Sequence, residues 1–121
     1  MRVCVPSAGP GGLDDLVGEH FGRVPTYTIY DLDTGEVEIL ENTSQHMGGT
    51  GLPGELLVQA GVEVVICAGL GRRAIDLLTQ SGIEVCTGAS GTVREAIEAW
   101  RSGKLPGADA CDRHLFHDHH A

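Results

Sequence analysis

The chain has 121 residues, enough for one domain with a buried core, and 41% of its residues are hydrophobic although only 4% are aromatic. Its net charge of −9 argues against a nucleic acid partner, because phosphate groups would be repelled. The N-terminal residues lack the apolar run of a secretory signal, and no apolar segment approaches the ~20 residues of a membrane span. We therefore predict a cytoplasmic protein with no membrane partner and with reduced thiols.

The first part of the chain is predicted to form a strand and then a β-hairpin. "RVCVP", residues 2–6, is apolar on both faces, as is typical of a central strand. In "TYTIYDLDTGEVEIL", residues 26–40, side chains alternate between two faces on either side of a turn signal at Asp33, Thr34 and Gly35.

From residue 50 onwards, helical periodicity alternates with short apolar runs. The pattern predicts helices over 52–61, 71–82 and 92–103, and strands over 62–69 and 83–88. Thr92 and Glu95 form a capping-box pattern at the start of the last helix, which would bury Val93, Ala96, Ile97 and Trp100. This order predicts an α/β fold, a three-layer α/β/α arrangement around a mixed five-stranded sheet with one hairpin and parallel βαβ strands. Ligands of such sheets bind at the carboxyl ends of the parallel strands.

One glycine motif falls at such an end. Gly69, Gly71 and Ala74 have GxGxxA spacing between a strand and a helix, which resembles a dinucleotide-binding turn. The acidic residue expected about 20 positions later is missing, and this argues against NAD. Two interpretations remain open: a tight turn without a ligand, or an anion-binding loop assisted by Arg72 and Arg73.

Histidine and cysteine residues flank the predicted hairpin and strands. His20 lies in "EHFGR", residues 19–23, and His46 lies in the glycine-rich "SQHMGGTG", residues 44–51. Cys4 and Cys86 are predicted to be core residues, whereas Cys67, at a strand end, fits either the core or a ligand set. Imidazole and thiol groups together favour a soft metal site.

These segments, in their order, resemble the dinitrogenase iron-molybdenum cofactor binding and biosynthesis family over residues 1 to about 105. The resemblance rests on "EHFGR", the hairpin, the loop histidine before "GG", and "GASGTVREAIEAWRSGKL", residues 88–105. It implies a ribonuclease H-like fold and a non-catalytic role in binding or carrying an iron-sulfur or molybdenum-iron-sulfur cofactor or its precursor. It also implies that His20, His46 and Cys67 contact that cofactor. A nuclease, the other activity suggested by a ribonuclease H-like fold, is disfavoured because the first strand carries no acidic residue.

The C-terminal segment "CDRHLFHDHH", residues 111–120, is rich in metal-ligating residue types. We predict an ordered domain over residues 1–103 and a flexible tail over residues 104–121. The tail either binds zinc, copper or iron or is solvated without function. Its candidate ligands are Cys111, His114, His117, His119 and His120.

Two functions follow from these features. The first is a carrier of a metallocluster, with a cluster donor or acceptor protein as its partner. The alternative is a small enzyme that binds a phosphorylated ligand at the Gly69–Ala74 loop. The sequence predicts no oligomeric state.

Overall fold

The computed structural model describes residues 1–19, 21–42 and 57–105, and within them it contains a mixed five-stranded sheet. The strands are β1 (Arg2–Ser7), β2 (Thr26–Asp31), β3 (Val37–Glu41), β4 (Val64–Ile66) and β5 (Glu84–Cys86). Their spatial order is β3-β2-β1-β4-β5, with β1 in the centre. The β1–β2 and β2–β3 pairs are antiparallel, whereas β1–β4 and β4–β5 are parallel. The predicted α/β class, the hairpin and the parallel strands are therefore confirmed.

Helices cover both faces of this sheet. They are a short 3-10 helix (Phe21–Arg23), α1 (Arg72–Gln80) and α2 (Val93–Arg101), and residues 57–59 are also helical. Because side chains alternate along a strand, Val3 and Val5 pack with α2 on one face, while Cys4 packs with α1 on the other. Each face has its own buried cluster, which gives the predicted three layers.

The last helix forms as its capping motif predicts. The Thr92 hydroxyl accepts a hydrogen bond from the Glu95 amide at 3.1 Å, and the Glu95 carboxylate accepts one from the Thr92 amide at 2.9 Å. The four residues predicted to line its inner face are all buried: Val93, Ala96, Ile97 and Trp100. Helices α1 and α2 are each followed within two residues by a glycine with positive φ, Gly82 (86°) and Gly103 (71°), as the helix-stop signals predicted.

Some details differ from the predictions. Strand β4 spans only three residues of the apolar run 62–69, because its ladders with β1 and β5 together cover only Val64–Ile66. On α1, Leu78 is buried as predicted, but Ala74 and Ile75 are only half-buried. Cys4 and Cys67 are buried free thiols, and Cys86 is buried, as predicted for a core residue. The predicted tail begins at Lys104, but residues 106–121 lie outside the described residues.

Candidate metallocluster site

Three loops leave the same rim of the sheet, because β1, β4 and β5 are parallel and their carboxyl ends lie side by side. These loops are residues 8–18 after β1, 67–71 after β4 and 87–91 after β5. The rim that they form is where the sequence predicted a ligand.

The loop after β1 is organised around Asp15. One carboxylate oxygen of Asp15 accepts hydrogen bonds from the amides of Gly9 (2.9 Å) and Gly11 (2.8 Å), and the other accepts one from Leu16 (2.7 Å). A single half-buried side chain thus satisfies three amides of an otherwise irregular segment. This fixes the loop in one conformation.

Buried hydroxyl groups join the same loop to β2. The hydroxyl oxygens of Ser7 and Thr28 are 2.8 Å apart, and the Thr26 hydroxyl donates to the carbonyl of Gly9 at 2.8 Å. The Gly12 amide donates to the Thr28 hydroxyl at 2.9 Å. Because the hydroxyls are buried and paired, they tie the loop to the sheet without leaving a polar atom unsatisfied.

The loop also caps helix α2. The amides of Val93 and Arg94, in the first turn of the helix, donate to the carbonyls of Asp15 (2.8 Å) and Leu13 (2.9 Å). Amides in the first turn of a helix have no acceptor within the helix itself. The loop supplies carbonyl acceptors for them, where water would otherwise be needed. The rim and the helix on that face are consequently one connected unit.

The segment that contains His20 follows this loop directly. His20 itself lies outside the described residues, but the residue after it is packed into the core. Phe21 is buried, its ring centroid lies 5.2 Å from that of Tyr27, and its carbonyl accepts a hydrogen bond from the Tyr27 hydroxyl at 2.7 Å. The backbone immediately after His20 is thus held against β2.

The loop that contains His46 begins beside this segment. His46 also lies outside the described residues, whereas Asn42 is buried at the end of β3. The Asn42 side-chain amide donates to the carbonyl of Val24 at 2.8 Å, and its backbone amide donates to the carbonyl of Pro25 at 3.0 Å. The chain therefore enters the His46 loop close to where it leaves the His20 segment.

Cys67 lies at the carboxyl end of β4 and is only 1% exposed. Its thiol is 3.6 Å from the Cys86 carbonyl, its amide donates to the same carbonyl at 2.9 Å, and its own carbonyl accepts from the Ala89 amide at 3.0 Å. Burial raises the pKa of the Cys67 thiol to about 12, because the thiolate would lose its hydration. In this conformation Cys67 is a protonated core residue covered by the loop after β5.

One buried cluster nevertheless contains Cys67 together with residues that border the segments of His20 and His46. Its members include Phe21, which follows His20, Leu57, which is the first described residue after the His46 loop, and Cys67. This cluster lies on the α1 face of the sheet. The described residues that border the two histidine segments therefore share one buried face of the sheet with Cys67.

The glycine motif at the start of α1 has an open geometry. Gly71 is the N-cap residue with φ −65° and ψ 152°, and no side chain caps the helix. A methyl group added at Gly69 or Gly71 would meet nothing within 4 Å, so neither glycine is required by a close approach. Arg72 and Arg73 are exposed.

The predicted tail ligands Cys111, His114, His117, His119 and His120 lie outside the described residues. In residues 1–19, 21–42 and 57–105, no three His, Cys, Asp or Glu side chains are grouped closely enough to hold a metal ion. None of the helices in these ranges combines the length and apolarity needed to cross a membrane.

Sequence reasoning missed the residues that organise the rim. Asp15, the hydroxyls of Ser7, Thr26 and Thr28, and Asn42 act through contacts between distant parts of the chain. Only Asp15 carried a local signal, since an aspartate shortly after a glycine-rich turn commonly accepts hydrogen bonds from nearby amides.

Comparison with known proteins places this arrangement in a family. The profile described as dinitrogenase iron-molybdenum cofactor matches residues 1–103. An uncharacterized protein of Methanocaldococcus jannaschii is 33% identical over 110 residues, which cover 87% of this chain and 89% of that protein.

Two solved structures are also similar. The NMR structure of a candidate NifB protein from Thermotoga, assigned to the DUF35 family, has a TM-score of 0.75 and 39% identity, and covers 88% of this chain and 92% of that one. The apo form of the orange protein from Desulfovibrio gigas has a TM-score of 0.74 and 30% identity, with the same coverages. The chain belongs to the dinitrogenase iron-molybdenum cofactor family.

Proposed function

We propose that this protein binds and carries an iron-sulfur or molybdenum-iron-sulfur cofactor, or a precursor of one, without catalysing a reaction. His20 and His46 would contact the cargo first, with Cys67 as a third ligand. Histidine nitrogen and cysteine sulfur are both suitable ligands for iron in such clusters.

A single structural observation supports this proposal most directly. Phe21, Leu57 and Cys67 share one buried cluster, and Asn42 is hydrogen-bonded to Val24 and Pro25. Both histidine-bearing segments are therefore anchored to the same side of the sheet as Cys67. Ligands on separate loops can converge on one cargo only if their loops are anchored in this way.

The family supports the class of cargo. Its description names an iron-molybdenum cofactor, and one similar structure is that of a candidate NifB protein. Another similar protein is described in an apo form. By analogy, a partner protein would donate the cluster to this chain or accept it.

Cys67 needs a change of conformation before it can bind. Its thiol is covered by the Cys86 carbonyl, and the loops after β4 and β5 are joined by the Gly88 amide to the Ala68 carbonyl at 3.1 Å. A metal binds the thiolate, so uncovering the thiol and releasing its proton would both precede ligation. The histidines would therefore contribute more to the initial binding than Cys67 does.

Anaerobic reconstitution with iron, sulfide and molybdate tests the carrier function. We expect a visible absorption band that is lost in His20→Ala and His46→Ala and weakened in Cys67→Ala. His117→Ala is the matched control, because it removes an imidazole from the tail and leaves the candidate site intact. No band with the unmodified protein, or an undiminished band in His20→Ala at an unchanged melting temperature, would rule the function out.

The tail is a separate part of the proposal. Cys111 and the four tail histidines would bind zinc, copper or iron, as their composition suggests. Truncation after Gly107 should lower the number of bound zinc or copper ions per chain. An unchanged metal stoichiometry would show that the tail is inert.

The enzyme alternative is distinguished by its ligand. The open N-terminus of α1 with exposed Arg72 and Arg73 suits a phosphate group, but the described residues offer no second feature that points to one. If a nucleotide or a phosphate ester raised the melting temperature, and Arg72→Ala abolished the effect, this alternative would replace the carrier function.

A further inference from the structure

Strand β3 is an open edge of the sheet. It lies at the end of the order β3-β2-β1-β4-β5 and pairs with β2 from Val37 to Glu41. Among the described residues, no strand pairs with its outer side. An edge strand presents outward-facing amide and carbonyl groups that another strand can pair with.

The side chains of this edge are unusually apolar for exposed positions. Val37 is 41% exposed and Ile39 is 46% exposed, and alternation along the strand places both on one face. They pair with Tyr30 and Thr28 of β2, so this is the face that also carries α2. Isolated exposed apolar residues are common, but two on one face of an open edge form a continuous apolar strip.

The same edge is strongly acidic. Between residues 31 and 41 the chain has five acidic residues and no basic one: Asp31, Asp33, Glu36, Glu38 and Glu41. Arg2, at the start of the central strand β1, forms an ion pair with Glu38, while Glu36 and Glu41 are exposed at the two ends of β3. A strand that adds here would therefore be attracted if it were basic.

We propose that β3 is a docking edge for an extended segment of a partner protein in which two apolar residues, two positions apart, are flanked at both ends by Lys or Arg. The backbone of that segment would pair with the outer side of β3. Its apolar side chains would lie beside Val37 and Ile39, and its basic side chains beside Glu36 and Glu41. A second copy of this chain fits poorly, because it would bring the exposed carboxylates at the two ends of β3 against those of the other copy. The proposal does not depend on the cargo.

Binding of a short capped peptide with the sequence Lys-Val-Thr-Val-Thr-Lys tests this surface. We expect two-dimensional NMR to show shifts centred on residues 36–41, and amides on the outer side of β3 to exchange more slowly with solvent. The double variant Glu36→Lys, Glu41→Lys should bind roughly tenfold more weakly, since each exposed charge pair contributes up to about 1 kcal/mol. The matched control Glu98→Lys, on the exposed side of α2, makes the same kind of charge change away from the edge and should bind normally.

Two further measurements separate strand addition from other kinds of binding. A peptide of the same sequence with alternate amides methylated should not bind, because it cannot pair with the edge. If the methylated peptide bound as tightly as the unmethylated one, charge attraction alone would explain the binding and the proposal would be overturned. Shifts confined to residues outside β3, unchanged binding to the double variant, or a dimer in sedimentation that Ile39→Lys dissociates would overturn it as well.

Discussion

Two loops on the same rim are held in very different ways. Residues 8–18, after β1, are bound by the Asp15 carboxylate, by buried hydroxyls and by the first amides of α2. Residues 67–71, after β4, are held by backbone hydrogen bonds at Cys67, Ala68 and Gly71. Gly69, between them, is exposed. The rim thus has one side fixed by side chains and another held mainly by backbone bonds near Cys67. Under the proposed carrier function, the fixed side would position the cargo and the other side would open to admit it.

The largest expected effect is the loss of the residue that organises the fixed loop. Asp15→Ala removes the acceptor of three amides, and we expect the free energy of unfolding to fall by about 2–3 kcal/mol. Urea denaturation measures this change. The control is Asp14→Ala, which removes only the exposed ion pair with Arg94 and should cost less than about 0.5 kcal/mol. Equal effects of the two variants would show that Asp15 does not organise the loop.

A matched pair of glycine variants compares the two loops directly. A methyl group at Gly18 would lie 2.2 Å from the Val24 Cγ1 atom, so Gly18→Ala should destabilise the protein by about 1–3 kcal/mol. A methyl group at Gly69 meets nothing within 4 Å, and Gly69→Ala should change stability by no more than about 0.5 kcal/mol. Thermal unfolding of both variants tests the comparison, which fails if Gly69→Ala is the more damaging.

The helices that follow the two loops also differ in how their first turns are held, because α2 has a side-chain cap and α1 has none. Thr92→Ala removes the capping box of α2 and should cost about 1 kcal/mol. At the uncapped start of α1, Gly71→Asp should instead stabilise the protein by a few tenths of a kcal/mol, because an aspartate can cap the helix in the backbone conformation present there. In chemical denaturation, the free energy of unfolding should fall for Thr92→Ala and rise for Gly71→Asp. Destabilisation by Gly71→Asp would mean that the loop needs glycine for another reason.

The smallest expected effect concerns the hairpin turn, far from the rim. The pKa of Asp31 is lowered chiefly by a hydrogen bond from the Asp33 amide, 2.8 Å from the Asp31 carboxylate. Since the folded-state pKa lies below the unfolded one, this stabilisation is present above the unfolded pKa and is lost as the pH falls through the folded pKa. Asp31→Asn should therefore flatten the acid side of the stability profile slightly. A profile that coincides with that of the unmodified protein would contradict the assignment.

Local patterns predicted most of the secondary structure. The capping box predicted the start of α2, and the turn signal at residues 33–35 predicted the hairpin. The segment "RVCVP", which is apolar on both faces, predicted a central strand. These predictions succeeded because each depends on neighbours within a few residues. The short extent of β4 and the partial burial of Ala74 and Ile75 were not predictable, since they depend on how far the sheet and the helix overlap.

The candidate site likewise has features that the sequence predicted and features that only tertiary contacts set. The sequence by itself determined the order of elements and therefore that the loops after β4 and β5 share one rim, because a right-handed crossover makes those strands parallel. The parallel pairing of β1 with β4, which adds the loop after β1 to this rim, was decided by the tertiary structure. Only the tertiary structure decided that Asp15 fixes one loop, that Asn42 ties the end of β3 to Val24 and Pro25, and that Cys67 is buried. Residue type and spacing specify which groups can bind, whereas packing between distant segments sets burial, and burial controls whether a thiol is available to a metal.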